Sequence, residues 1–166
     1  MKTIHEELHY DRAPRELFAL ISSGAFQLEL ISQLGGKDAE LVEETVTPDG
    51  SVKVVTRQRT GVELPGFAKR LIPASTSVTQ TYVWEPARED GSREGIWSAE
   101  IKGAPVSMGG PTELRVSGSG SVHVFSGEVK ASIPVVGGKL ESFALDSLRR
   151  DLTRAAEFTA SRLAET

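Results

Sequence analysis

Hydrophobic and polar positions follow two different periods along this chain. Residues 3–10 alternate, with Ile4, Glu6, Leu8 and Tyr10 on one face and Thr3, His5, Glu7 and His9 on the other. That period of two predicts a strand. Asp11 then offers an N-terminal cap, and Pro14 stands near a first helical turn, where its missing N–H costs nothing. Leu17, Phe18 and Ile21 recur at helical spacing until Ser22-Ser23-Gly24 interrupts them. A second short helix runs through Phe26, Leu28, Leu30, Ile31 and Leu34 and stops at Gly35-Gly36. From Asp38 the period of two returns. Residues 41–47 and 51–60 flank Pro48-Asp49-Gly50 as a hairpin would. Residues 64–72 read as an irregular connection with a helical turn around Phe67-Ala68-Lys69-Arg70. Further strands are predicted at 75–85, 93–102, 111–117 and 121–133. The turns between them are Asp90-Gly91-Ser92, residues 103–110 and Gly118-Ser119-Gly120.

The last change of period is the most informative. Ile133-Pro134-Val135-Val136-Gly137-Gly138-Lys139-Leu140-Glu141 leads into a run without Pro or Gly that reaches Leu163. At about 100° per residue, Leu140, Ala144, Leu148, Leu152, Ala155, Thr159 and Leu163 form one stripe, widened by Leu145, Ala156 and Phe158. Asp146, Arg149, Arg150, Arg154 and Glu157 fall outside it. The alanines allow either close packing on a sheet or space for a ligand. Three charges break the stripe: Glu141 near its centre, Asp151 and Arg162 to one side. A carboxylate facing inward must find partners. Glu141 either accepts backbone N–H groups near Gly137-Gly138 or anchors a ligand at a pocket mouth.

The predicted fold class is therefore α+β, as one domain over residues 1–166. Seven antiparallel strands curl around a long C-terminal helix, two short helices close the open end, and a pocket lies between sheet and helix. Leu148 and Leu152 face that pocket or the core.

Composition narrows the chemistry. The net charge of −4 argues against a nucleic-acid surface, which needs clustered Lys and Arg. The absence of Cys excludes disulfides and thiolate metal sites and suits a soluble protein of the cytoplasm. No stretch approaches the ~18 apolar residues of a membrane span. His5 and His9, four apart on a strand, stand roughly 13 Å from each other, too far to share a metal. His123 shares a face with Phe125 and lines a cavity or packs in a core. No metal site, cofactor motif or catalytic set is legible. Tyr82 and Trp84 share a strand face, Trp97 follows on the next strand, and Val83, Ile96 and Ile101 supply apolar surroundings. Such rings suit a core or the wall of an apolar pocket.

The order strand, two helices, six strands, helix, with the Ala13-Pro14-Arg15-Glu16-Leu17-Phe18 entry to the first helix, resembles the START-like (SRPBCC) superfamily. Thr79-Gln80-Thr81-Tyr82-Val83-Trp84 and the segment from Ile133 to Glu141 are similar to an uncharacterised actinobacterial family within it. The resemblance implies the helix-grip fold and a deep cavity for an apolar molecule such as a lipid, polyketide or isoprenoid. The expected ligand-binding candidates are Tyr82, Trp84, Trp97, His123, Phe125, Glu141, Leu148 and Leu152. Three functions remain open at this point. One is a carrier or sensor of a hydrophobic molecule. Another is a polyketide cyclase-like enzyme using Glu141, His123 or Tyr82 as acid or base. The third is a co-chaperone-like interaction module with a collapsed cavity.

Overall fold

A computed structural model describes residues 1–59, 64–73 and 75–165. The elements in chain order are β1 (Lys2–Tyr10), α1 (Pro14–Ile21), α2 (Gly24–Gln33), β2 (Lys37–Val46), β3 (Val52–Arg59), α3 (Gly66–Lys69), β4 (Ser77–Trp84), β5 (Arg93–Ile101), β6 (Val106–Ser117), β7 (Gly120–Ala131) and α4 (Gly137–Ala164). The strands form one antiparallel sheet in the order β1-β7-β6-β5-β4-β3-β2. Chain neighbours pair in sequence from β2 to β7, and β1 closes the far side against β7.

Several boundaries differ from expectation for local reasons. Asp11 does not cap α1: Ala13 holds that position without a side-chain bond, and Pro14 at the first helical position presets the turn. Ser23, expected only as part of a break, caps α2 by accepting the Phe26 N–H at 3.3 Å. Strand β6 begins at Val106, so most of the expected 103–110 loop is strand. Gly109 and Gly110 hid it from a propensity reading but pair with Ser98 and Trp97. Strand β7 ends at Ala131, short of residue 133. The end of the expected 51–60 strand, Thr60, lies outside the described residues.

The segment before α4 works as a joint. Gly137 is buried against the end of β7, where a Cβ would stand 2.9 Å from the Ala131 carbonyl oxygen. Leu140, one turn on, is fully buried. Helix α4 then packs on β1 and β7 and reaches across to α1 and α2. The outward faces of the middle strands meet solvent. Val83 and Ile96, expected to surround the aromatics, point that way and are 41% and 65% exposed, because strand alternation sets them opposite Tyr82 and Trp97.

Candidate functional site

The concave side of the sheet carries two apolar clusters. One, around Trp84, is solid: Tyr10, Leu17, Phe18, Val52, Val54, Leu114 and Leu163 close on it. Phe18 meets the Trp84 ring edge-on at 5.6 Å, and the Arg93 guanidinium lies over the Phe18 ring at 3.7 Å. The Tyr10 phenol bonds Thr159 of α4, and burial pushes its pKa up to about 12. The other cluster, around Trp97 and Phe125, borders a cavity of about 430 Å3.

Two strands and two helices supply most of the walls of that cavity. Strands β4 and β5 supply Val78, Gln80, Tyr82, Trp97, Ala99 and Ile101. Helix α4 supplies Leu140, Phe143, Ala144, Leu148, Leu152 and Ala155, and α2 supplies Leu30 and Ile31 with Leu34 at its end. Small side chains at Ala144 and Ala155 keep the helix side of the space open. Trp97 lies flat on the opposite wall. Its partner on β6 is Gly110, and its ring reaches Gly127 of β7, where a Cβ would stand 2.8 Å away. Its indole N–H donates to the Ser126 carbonyl at 2.7 Å, and Phe125 stacks on it at 4.3 Å. These contacts fix the ring in the wall.

The rim carries charge. Arg154 is exposed and donates to the Gln33 carbonyl at 3.0 Å, tying α4 to the end of α2. Arg150 donates to Ser147 Oγ at 3.2 Å. Asp151, between them and half-buried, has its carboxyl pushed up by desolvation, with Arg154 and Arg150 opposing. The Tyr82 pKa is raised to about 12 by burial, so the phenol stays neutral near neutral pH.

Of the expected site residues, Tyr82, Trp97, Phe125, Leu148 and Leu152 meet at this cavity. Trp84, His123 and Glu141 do not line it. Trp84 faces the same way as Tyr82, but two residues further along β4 it comes under α1. His123 packs between Trp84 and Phe125 at 5.9 Å and 6.3 Å. Its Nε2 meets Thr112 Oγ1 at 2.7 Å while that hydroxyl donates to the Val124 carbonyl at 3.0 Å, which assigns the imidazole proton to Nε2. Burial pushes the His123 pKa down to about 4.

Glu141 faces the joint. It accepts the Ala131 N–H at 3.0 Å and a bond from the Met1 amino group at 2.9 Å, and these hold its carboxyl below the usual range. The expected bonds near Gly137-Gly138 are replaced because α4 begins at Gly137. Glu141 therefore sits a full turn inside the helix, level with the end of β7.

Gln58 and Gln80 line the cavity without having been singled out from the sequence. The signal was present for Gln80, which shares the inward face with Tyr82 by simple alternation. Among the described residues no cluster of His, Asp or Glu could hold a metal ion, and no helix is long and apolar enough to cross a membrane.

Residues 5–163 match the model of a protein family of unknown function, DUF2505, and the chain belongs to that family. No curated protein matches it. Solved structures share the fold at low identity. TTHA0849 from Thermus thermophilus is 15% identical with a TM-score of 0.65, covering 99% of this chain and 98% of its own. A START superfamily protein from Mycobacterium smegmatis is 12% identical with a TM-score of 0.58, covering 97% and 98%. A STAR-related lipid transfer protein from Xanthomonas axonopodis is 12% identical with a TM-score of 0.58, covering 92% and 85%. The architecture is the START-like helix-grip fold.

Proposed function

We propose that this DUF2505 member holds a hydrophobic small molecule, of lipid, polyketide or isoprenoid character, between its sheet and α4, as a carrier or sensor. The observation that carries this reading is the cavity of about 430 Å3 with apolar side chains on three sides and a charged rim on α4. Such a lining gains roughly 25 cal/mol for each Å2 of ligand surface it takes from water. The lipid-transfer description of the Xanthomonas neighbour supports the same class of cargo. An enzyme of the cyclase kind receives less support. His123 and Glu141 stand outside the lining, and a phenol with a pKa of about 12 is a poor base near neutral pH. A collapsed interaction module is disfavoured by the open space itself. We place the cargo protein in the cytoplasm, a compartment that suits a chain without Cys.

Native mass spectrometry of the protein expressed in its own host tests the proposal. The expected result is an added mass that is released by organic solvent and identifies the cargo. A ligand-free spectrum, with no apolar probe bound on titration, would overturn it.

A further inference from the structure

The sheet side of the cavity mixes apolar residues such as Val78, Ala99 and Ile101 with a group of uncharged polar ones on β3 and β4. Gln80 stands inward on β4 with Tyr82 next along that face, and Thr56 of β3 is its direct cross-strand partner. Gln58 follows Thr56 on the same face of β3. Gln58, Gln80 and Tyr82 all line the cavity. None of these three side chains, nor Thr56, has a hydrogen-bond partner among the described residues. Several other polar groups on the concave side are paired, although Ser121 Oγ is buried there without a partner. The Trp97 indole bonds Ser126, the His123 ring bonds Thr112, and the Gln27 amide donates to the Ile21 carbonyl at 2.6 Å. Among the described residues Ser121 Oγ is the only fully buried side-chain polar atom without a partner. The hydrogen-bonding capacity of Gln58, Gln80 and Tyr82 therefore opens into the cavity and is met by whatever fills it. These three share one wall.

We infer that the β3–β4 wall reads oxygen atoms on the cargo: the ligand is an uncharged, oxygen-bearing apolar molecule whose hydroxyl or carbonyl groups face Gln58, Gln80 and Tyr82. This rests on the cavity-binding reading above and specifies it. The chemistry of the wall selects the class. Side-chain amides and a neutral phenol both donate and accept, so they match hydroxyls and carbonyls alike. None carries charge. A cargo carboxylate or ammonium set against β4 would be a buried ion without a counter-ion, because the charged lining residues Arg150, Asp151 and Arg154 belong to α4 on the opposite side. The facing helices offer contacts such as Leu148, Leu152 and Leu30, which suit the hydrocarbon side of the same molecule. A ligand with oxygens along one edge and hydrocarbon along the other satisfies both walls. A plain hydrocarbon leaves the amides unpaired.

Three fluorescent probes on one skeleton test this: pyrene, 1-hydroxypyrene and pyrene-1-carboxylate, titrated against the parent and a Gln80→Leu/Tyr82→Phe double variant. Both substitutions keep side-chain size close to the original, and a thermal melt confirms that the variant is folded. The parent should bind 1-hydroxypyrene in preference to pyrene and bind the carboxylate weakest. The ratio of the pyrene to the 1-hydroxypyrene dissociation constants should fall by about tenfold or more in the double variant, because the lost bonds belong to the hydroxyl alone. The comparison of ratios cancels the differing solubilities of the probes. If both neutral probes bind and their ratio is the same in parent and variant, the oxygen-reading wall is wrong and the hydrophobic cavity stands. Tightest binding of the carboxylate by the parent also overturns it. If no probe binds the folded parent, the cavity-binding reading falls and this inference falls with it.

Discussion

Trp84 and Trp97 occupy neighbouring antiparallel strands, point to the same concave side and are 2% and 3% exposed. Each lies over a glycine. A Cβ at Gly95, the cross-strand partner of Trp84, would stand 2.8 Å from its ring, as one at Gly127 would from Trp97. From the sheet alone the two rings are equivalent. They differ in what descends on them. Over Trp84 come Phe18 and Leu17 of α1 and Leu163 from the end of α4, and the packing is solid. Opposite Trp97 the helix presents Ala144, Leu148 and Ala155 at a distance, and a cavity remains. A residue's place in a binding wall or a core is thus set by the layer above the sheet, at a particular point along the strand.

The largest effect should come from removing the covered ring. Trp84→Ala deletes a large side chain from a solid cluster and should destabilise by about 3–5 kcal/mol in urea denaturation. It should leave probe binding in the cavity intact under conditions where the protein is folded. A cost below that range would show that the closed end is loosely packed.

His123, beside Trp84, makes the stability of that region depend on pH. Its pKa is about 4 in the fold against 6.5 when unperturbed, so the unfolded chain takes up a proton that the folded one refuses. Its contribution is complete above 6.5 and is lost as pH falls through 4. The loss is on the order of 3 kcal/mol across that window. Denaturation curves at several pH values should show this slope in the parent and its removal in His123→Asn, measured against that variant's own neutral value. A parent stability flat over the window would contradict the buried neutral imidazole.

Adjacent alanines of α4 divide the two regions most sharply. Ala156 packs against the Trp84 cluster and Ala155 lines the cavity. Ala156→Leu should overpack and cost about 1–3 kcal/mol. Ala155→Leu should fill open space, leave the melting midpoint near the parent value, and weaken binding of an apolar probe. Equal effects on the two melts would mean that the helix rotation is wrongly described.

The smallest effect is expected at Glu141, which belongs to neither region. Glu141→Gln should lower the melting midpoint slightly and leave ligand retention unchanged, because the carboxylate ties Ala131 and Met1 rather than a cargo. Its depressed pKa places its contribution above the unfolded carboxylate value of 4.5, lost as pH falls through the lower folded value. The variant's stability should therefore fall less steeply in acid than the parent's. Lost retention with an unchanged melt would move Glu141 into the site.

Periodicity determined much of the architecture, though not the start of β6 at Val106. Alternation placed the strands, the change to period 3.6 after Gly137 placed α4, and the stripe from Leu140 to Leu163 named the face that turns inward, because each of these is a repeat carried by the chain itself. The same alternation already put Tyr82, Trp84 and Gln80 on one face. It could not say that Trp84 is sealed while Tyr82 and Gln80 border open space, since that depends on where α1 and α4 cross the strands. Ala144, Ala155 and Ala156 read alike in sequence; the angle at which α4 meets the sheet made two of them cavity wall and one core. Glu141 shows the same limit. Its inward position was visible, but its partners, Ala131 at the end of one strand and Met1 at the start of another, are brought to it only by the fold, because hydrogen-bond partners far apart in the chain leave no spacing to read.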